Sequence, residues 1–421
     1  MVTLTPMPDT LEIASAAYRL SSDGTLADAY SWQADLYQRL SDPASDIGGL
    51  LLAPAGAGKL ESVVIPALGL RRGGAPRRLF IIGPDGSPLD DYLVRLVPYL
   101  RTFVCADETP RTLCLDLYEE EDQGNQCRRF FPDGSEDPHI ITNPLEADVD
   151  LILTTLSRFQ SLFFGSGGIH ALPTALIGDN TPLRRDLFFF DEAHLYTGDG
   201  FARFHRLTEF LYAEDADVIV ASSTLPPAFA EELSFLDLLP APPISASPRC
   251  TFRYKPSADP HRVIETELRR AYDPNARVFA VTETSAEAEA LHARLAADFP
   301  ATLIYHADQP AESRRRIYAQ LRELEKAGKG CLLLTTGEAL ESSDLSAFIV
   351  LSTLCPPENL IRRAGRCNRH GTLPQAQIIL SGDTFAPTSR TLSAHLTADY
   401  LAALRALSAL PFDPEFWKAF I

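Results

Sequence analysis

The sequence has no CxxC pair, no run of about eighteen uninterrupted apolar residues, no short-period repeat, and no basic stretch leading into an apolar one at its start, MVTLTPMPDTLEIAS. Each absence excludes a class. The seven cysteines, Cys105, Cys114, Cys127, Cys250, Cys331, Cys355 and Cys367, are odd in number and scattered, as expected of reduced thiols. A zinc set built from Cys105, Cys114, Cys127 and His139 has spacings that fit no usual ligand pattern. Without a long apolar run or a leader-like start, a soluble cytoplasmic protein is expected. Positive charge is also scarce: 38 Lys and Arg stand against 56 Asp and Glu, a net charge of -18 and a pI near 4.9. That balance argues against a phosphate-rich partner.

Counted by segment, the charge reads differently. Residues 1–245 carry 17 basic and 36 acidic residues, residues 246–375 carry 18 and 16, and residues 376–421 carry 3 and 4. The acidity belongs to the first segment, so it is no veto on a local groove that binds a strand. Unaided nucleic-acid binding is then expected to be weak and salt-sensitive.

What the sequence does have is a globular balance of 45% hydrophobic and 22% charged residues over 421 positions, enough for two or three domains. Short apolar runs recur, each followed by a turn and a helix-like stretch, which predicts parallel α/β sheets. The first series is 48–54, 77–84, 150–156, 186–192 and 217–224; the second is 277–283, 301–307, 330–336, 347–353 and 376–382. Between them lies the Pro-rich LPAPPISASPRC (239–250), which suits a connection between domains. The expected organisation is an α/β domain over 1–245, a second over 246–375, and a last strand with a short helical segment over 376–421. The span 105–144, with the acidic runs EEED and PDGSEDP, is expected to be a solvated surface insertion.

Two motifs carry chemistry. APAGAGKLE (53–61) is a Gly-rich turn ending in Gly58-Lys59 at a helix start, a place where backbone N–H groups and a Lys cradle phosphates. It departs from the generic loop at Ala53 and Leu60. FFFDEAH (188–194) is a buried strand ending in Asp191 and Glu192, where a carboxylate can hold a nucleotide-bound magnesium ion and its neighbour can polarise the attacking water.

With these two, the chain resembles the superfamily 2 DExD/H helicases. SSTLP (222–226) looks like their Ser-Ala-Thr motif, TTGEALESSDL (335–345) like the fifth motif ending in Asp344, and ENLIRRAGRCNRHG (358–371) like the sixth. Arg363, Arg366 and Arg369 recur at three-residue spacing and are expected on one helical face, suited to charge on a transferring phosphoryl group. Within the superfamily, APAGAGKLES, SSTLP, LIYHADQPAESRRR (303–316) and LIRRAGRCNRHG (360–371) resemble the DEAH-type helicase of type I CRISPR systems.

The resemblance implies two tandem RecA-like domains, ATP and Mg2+ as cofactors, and single-stranded DNA as the track, unwound 3′ to 5′. By it, Lys59, Asp191, Glu192, His194, Arg366 and Arg369 are the catalytic candidates, with Asp191 on the metal. Gln33, Ala55, Gly56, Ala57, Gly58, Lys59, Leu60, Asp344 and Arg363 would bind the nucleotide, Gln33 as the reader of adenine. The partners implied are a CRISPR surveillance complex and a separate nuclease subunit, since no His-Asp nuclease signature precedes Trp32. Four departures stand out: Leu60 for the magnesium-liganding Thr, Arg362 for the Gln opening the sixth motif, Leu340 and Ser343 in the fifth, and GPDGSPL (83–89) for the Pro-Thr-Arg motif. Alternatives are a nucleotide-gated binding module that hydrolyses weakly, an RNA helicase, or the motor subunit of a restriction or repair system.

Overall fold

Apolar strands buried on both faces form the centre of each half of the chain, as their near-continuous Leu, Ile, Val and Phe runs require. The computed structural model describes residues 4–6, 31–42, 47–54, 57–72, 75–76, 78–84, 89–116, 125–141, 149–164, 186–196, 198–241, 250–271, 273, 275–299, 302–343, 345–369, 373, 375–385, 394–418 and 420. It divides into two compact units between Pro243 and Ile244.

The first unit is built on a nine-stranded sheet. In chain order its strands are β1 (Gly48–Leu52), β2 (Leu79–Gly83), β3 (Arg111–Asp116), β4 (Asn125–Phe130), β5 (Glu136–Ile141), β6 (Leu151–Thr155), β7 (Leu187–Phe190), β8 (Asp217–Ser222) and β9 (Asp237–Leu238). They lie in the order β9-β1-β8-β7-β2-β6-β3-β4-β5. All neighbours are parallel except the meander β3-β4-β5. Successive side chains of a strand point to opposite faces, and the sheet uses both. Leu79, Ile81, Leu187, Phe189 and Ile219 enter one core with α1 (Ser31–Ser41), α2 (Lys59–Gly69) and α3 (Leu89–Asp107). Phe80, Ile82, Phe188, Phe190 and Val220 enter the other with α4 (Leu156–Phe164) and α5 (Asp199–Ala213), and the short α6 (Pro227–Glu232) follows β8. Phe80, Phe159 and Phe188 meet with ring centroids 4.9 to 5.7 Å apart. Every residue of α2 is buried, so Lys59 and Glu61 enter the interior with it.

Within the span expected as a solvated surface insertion, 105–144, the chain completes α3 and forms β3, β4 and β5, while PDGSEDP (132–138) is exposed as expected. Leu113, Cys114 and Leu115 are buried, because β3 lies between β6 and β4 rather than on the surface. The acidity drew attention from that apolar run; EEED itself lies outside the described residues. Register sets Cys114 opposite Cys127 and Cys127 opposite His139. No group of three His, Cys, Asp or Glu able to hold a metal ion occurs among the described residues.

The second unit is an all-parallel six-stranded sheet: β10 (Thr251–Lys255), β11 (Arg277–Thr282), β12 (Thr302–Tyr305), β13 (Cys331–Thr336), β14 (Ile349–Thr353) and β15 (Gln377–Ser381), in the order β10-β15-β14-β11-β13-β12. Parallel neighbours need crossovers. These include α7 (Pro260–Ala271), α8 (Ser285–Leu295), α9 (Ala311–Lys326), α10 (Gly337–Ser342) and α11 (Pro357–Ala364). α8 begins with a capping box: the Thr284 hydroxyl accepts from the Glu287 N–H, and the Glu287 carboxylate accepts from the Thr284 N–H. The edge strand β10 was hidden in the sequence by the Pro-rich stretch before it and by its half-exposed alternation, with only Phe252 and Tyr254 buried. The last helices, α12 (Ala394–Ala406) and α13 (Pro414–Lys418), cover that edge. The Trp417 ring lies 5.5 Å from Phe252, and the Tyr400 hydroxyl donates to the Cys355 carbonyl at 3.0 Å. Among the described residues no helix is long and apolar enough to cross a membrane.

Candidate active site

The first unit gathers its chemical side chains at the carboxyl ends of β1, β7 and β8, the end at which parallel α/β sheets bind ligands. After β1 the chain turns through the Gly-rich loop into α2. Gly58 has φ of +84°, a left-handed conformation that glycine adopts without a side-chain penalty. A Cβ there would also lie 2.4 Å from the Gln33 amide nitrogen. Gln33, on α1, is buried, and its Nε2 donates to the Gly58 carbonyl at 3.0 Å. The same carbonyl accepts the Ser62 N–H at 3.0 Å. Gln33 is thus bound to the backbone of the Gly-rich loop. Lys59 is buried, with Nζ donating to the Ala53 carbonyl at 3.1 Å. Leu60 packs into the same core as Trp32 and supplies no oxygen to the site. Ala57 is buried too, whereas Ala55 and Gly56 lie outside the described residues.

Asp191 follows β7 directly and is 5% exposed. Its Oδ1 accepts the Glu192 N–H at 2.9 Å, and its Oδ2 accepts the Tyr92 hydroxyl at 2.7 Å. Burial, and then the neighbouring Glu192 charge, push the Asp191 carboxyl up to about 6, against the pull of the Lys59 ammonium and the Tyr92 donor. Burial, followed by the Asp191 charge, pushes the Tyr92 phenol well above its ordinary value, so Tyr92 stays a donor. The Asp191 shift carries a stability sign. A carboxyl whose folded value is raised from 3.8 to about 6 stabilises the fold while protonated, and that contribution is lost as pH rises through about 6. Asp191→Asn removes the charge, so its unfolding free energy relative to wild type is expected to rise between pH 4 and pH 7 by about 2–3 kcal/mol. Nucleotide-free urea melts at both pH values measure it; a pH-independent difference would refute it.

Glu192 sits at φ 51°, ψ 45°, a left-handed conformation for a non-glycine residue, costing on the order of 1–3 kcal/mol. That geometry turns the chain from β7 into the short 3₁₀ turn Ala193–Leu195. His194 is buried, with Nδ1 3.0 Å from the Ser222 hydroxyl and 3.4 Å from the Glu192 carboxylate. Ser222 is the junction of three motifs. Its hydroxyl meets His194 and accepts the Thr224 N–H at 3.2 Å, and its carbonyl accepts the Ala53 N–H at 3.1 Å. A shift at the loop strand, at the DEAH turn or at SSTLP therefore meets the same residue.

In the second unit the arginines do not share one helical face. α11 ends at Ala364, and Gly365 caps it, so Arg366 and Arg369 lie in the turn beyond. Arg362, Arg363 and Arg366 meet instead at Glu341 on α10, which is buried. Its carboxylate accepts from Arg362 Nε at 2.7 Å, Arg363 Nε at 2.8 Å and Asn359 Nδ2 at 2.9 and 3.0 Å. Burial raises this carboxyl, but Arg362 and Arg363 outweigh it and hold the group below the usual carboxylate value. Arg363 Nη1 also donates to Glu283 at 2.9 Å and Ser352 at 2.8 Å. A Cβ on Gly337 would lie 2.0 Å from the Arg363 guanidinium, so a side chain there would push Arg363 off its partners. Arg366 donates to the Leu340 and Glu341 carbonyls. The Arg369 N–H donates to Ser346 at 3.1 Å. Asp344 lies outside the described residues.

Two residues went unseen in the sequence reading. Tyr92 follows a segment that resembles no motif, and its only signal is a Tyr-Arg-Tyr face at positions 92, 95 and 99 of a helix. Glu341 reads as an ordinary helix Glu until Arg362 and Arg363 are seen against it.

Comparison with known proteins agrees with this layout. The family described as CRISPR-associated nuclease/helicase Cas3, C-terminal, matches residues 275–372. The search of curated proteins returned no match. Among solved structures, Cas3 of T. fusca with ATP superposes with a TM-score of 0.67 at 19% identity, covering 99% of this chain and 53% of that one. Dbp5 of S. cerevisiae bound to RNA and ADP BeF3 gives 0.62 at 14% identity, covering 99% and 97%. The DUF1998 helicase MrfA bound to DNA and AMPPNP gives 0.59 at 14%, covering 98% and 56%. The chain therefore spans about half the length of the Cas3 structures it matches. Its two units have the tandem RecA-like fold of these helicase structures, and residues 275–372 carry the match to the Cas3 C-terminal family.

Proposed function

We propose that the chain is an ATP-dependent motor that translocates on single-stranded DNA in CRISPR defence, recruited by a surveillance complex. The observation that carries this reading is Ser222, whose hydrogen bonds join the loop strand, the DEAH turn and SSTLP into one connected site. Lys59 binds the nucleotide phosphates, Asp191 holds Mg2+, and Glu192 orients the attacking water. Arg366 and Arg369 act on transition-state charge, while Gln33 fixes the loop that the phosphates enter. The residues fit the ion: Asp191 is a hard oxygen donor next to Lys59, and Mg2+ commonly takes one carboxylate together with nucleotide phosphates. Once bound, the ion neutralises charge on the phosphates.

ATP turnover measured without strand, with single-stranded DNA and with RNA tests the reading. Stimulation by DNA is expected. Stimulation by RNA alone overturns it in favour of an RNA helicase. The acidity of the first segment calls for weak, salt-sensitive strand binding in the absence of a partner.

A second reading, a binding module that closes on ATP and hydrolyses it slowly, is favoured by the burial of Leu60. Under this reading Leu60→Thr is expected to raise turnover, at a cost in nucleotide-free stability from the polar group it buries. Fast wild-type turnover left unchanged by the substitution removes the second reading.

A further inference from the structure

α3 presents one face to the site. Tyr92 reaches Asp191, while Arg95 and Tyr99, one and two turns on, reach Glu61 at 2.9 and 3.3 Å. Asp191 stands at the end of β7, and Glu61 sits on α2, two residues after the loop lysine Lys59. A single helix thus spaces the carboxylate from the phosphate loop. Leu60, between Lys59 and Glu61, brings no oxygen. A cation at this site has Asp191 as its protein anchor, and the direction of one carboxylate then decides how well the ion is held.

We propose that Tyr92 is the positioning residue for the divalent ion that accompanies the nucleotide: its hydroxyl fixes the Asp191 carboxylate in the orientation the ion needs. The inference rests on the ATP-site reading above. A hydroxyl donating to one carboxylate oxygen leaves acceptor capacity on both oxygens, since an ionised carboxylate offers about four lone-pair sites. It therefore restrains the group without occupying it. Groups that orient metal ligands in this way typically carry about 10- to 100-fold of metal affinity.

The test uses the full chain and a fluorescent ADP, titrated once in Mg2+ and once in EDTA. Tyr92→Phe keeps the ring in its buried seat and removes only the hydroxyl. It is expected to weaken binding at least tenfold in Mg2+ and to leave binding in EDTA unchanged. Glu61→Gln serves as control, loosening α3 from α2 without touching Asp191. It is expected to shift both titrations equally or neither.

Equal losses in Mg2+ and EDTA for Tyr92→Phe, or no loss, overturn the proposal. So does a magnesium-specific loss in Glu61→Gln, which would assign the effect to helix packing. Wild-type binding that is tight but indifferent to Mg2+ overturns this inference and leaves the ATP site standing. Wild-type protein that binds no nucleotide overturns both.

Discussion

Glu192→Gln is expected to bind ATP with near wild-type affinity while its turnover falls by roughly 10²- to 10⁴-fold, the range for loss of a positioned general base. The structure supports a clean separation of the two effects. Glu192 takes its position from its own backbone, in the left-handed conformation that turns β7 into the 3₁₀ turn. Its side chain approaches His194 at 3.4 Å, a contact that an amide can replace. The amide removes the charge and keeps the shape, so the loop, Lys59 and Asp191 stay where they are. Equilibrium binding and single-turnover hydrolysis read the two quantities separately. Retained turnover would remove Glu192 from the chemistry. A parallel loss of binding would show that the carboxylate serves the loop instead.

Glu341→Ala is expected to destabilise the second unit by roughly 3–5 kcal/mol, the usual cost of removing one partner from a buried ion pair. Arg362 and Arg363 are both buried, and both donate to this carboxylate. Without it, Arg363 keeps Glu283 and Ser352, but Arg362 loses the 2.7 Å partner of its Nε. Arg362 should therefore carry most of the damage. Pairing Glu341→Ala with Arg362→Met is expected to recover part of the loss, because an apolar side chain of similar reach leaves no bare charge inside. Urea unfolding of the full chain measures both variants. A loss below about 1 kcal/mol would place the pair on the surface scale and refute the burial argument.

Nine of the ten apolar runs were legible because strands buried on both faces need no partner information, hydrophobicity alone marking them; the tenth, the edge strand β12, is only partly buried. Gly58-Lys59 and Asp191-Glu192 were legible for a related reason, since the first closes the turn that follows a buried strand and the second directly ends one. The misreadings have distinct causes. Spacing predicted a common face for Arg363, Arg366 and Arg369, but the helix stops at Ala364, and Gly365 was the available warning. Acidic runs pointed to a loop over 105–144 and hid β3, whose apolar centre is only three residues long. Gln33 was a candidate in the sequence, but its bond to a carbonyl 25 positions away was not legible there. Tyr92 and Glu341 depend on partners 99 and 21 positions distant, which composition and periodicity do not encode.

The three phenylalanines before Asp191 act as a ruler. Phe188 and Phe190 belong to one core and Phe189 to the other, and all three are fully buried. Sliding β7 by one position would exchange the two sets, which both cores resist. The depth of Asp191 in the molecule is therefore set by volumes on both sides of the sheet and not by any bond the carboxylate makes. One consequence is a constraint on how this site can change. Substitution at a neighbour such as Leu60 alters the site's chemistry and leaves its position alone, whereas a single-residue insertion or deletion within 187–190 would move the carboxylate and disorder two cores together.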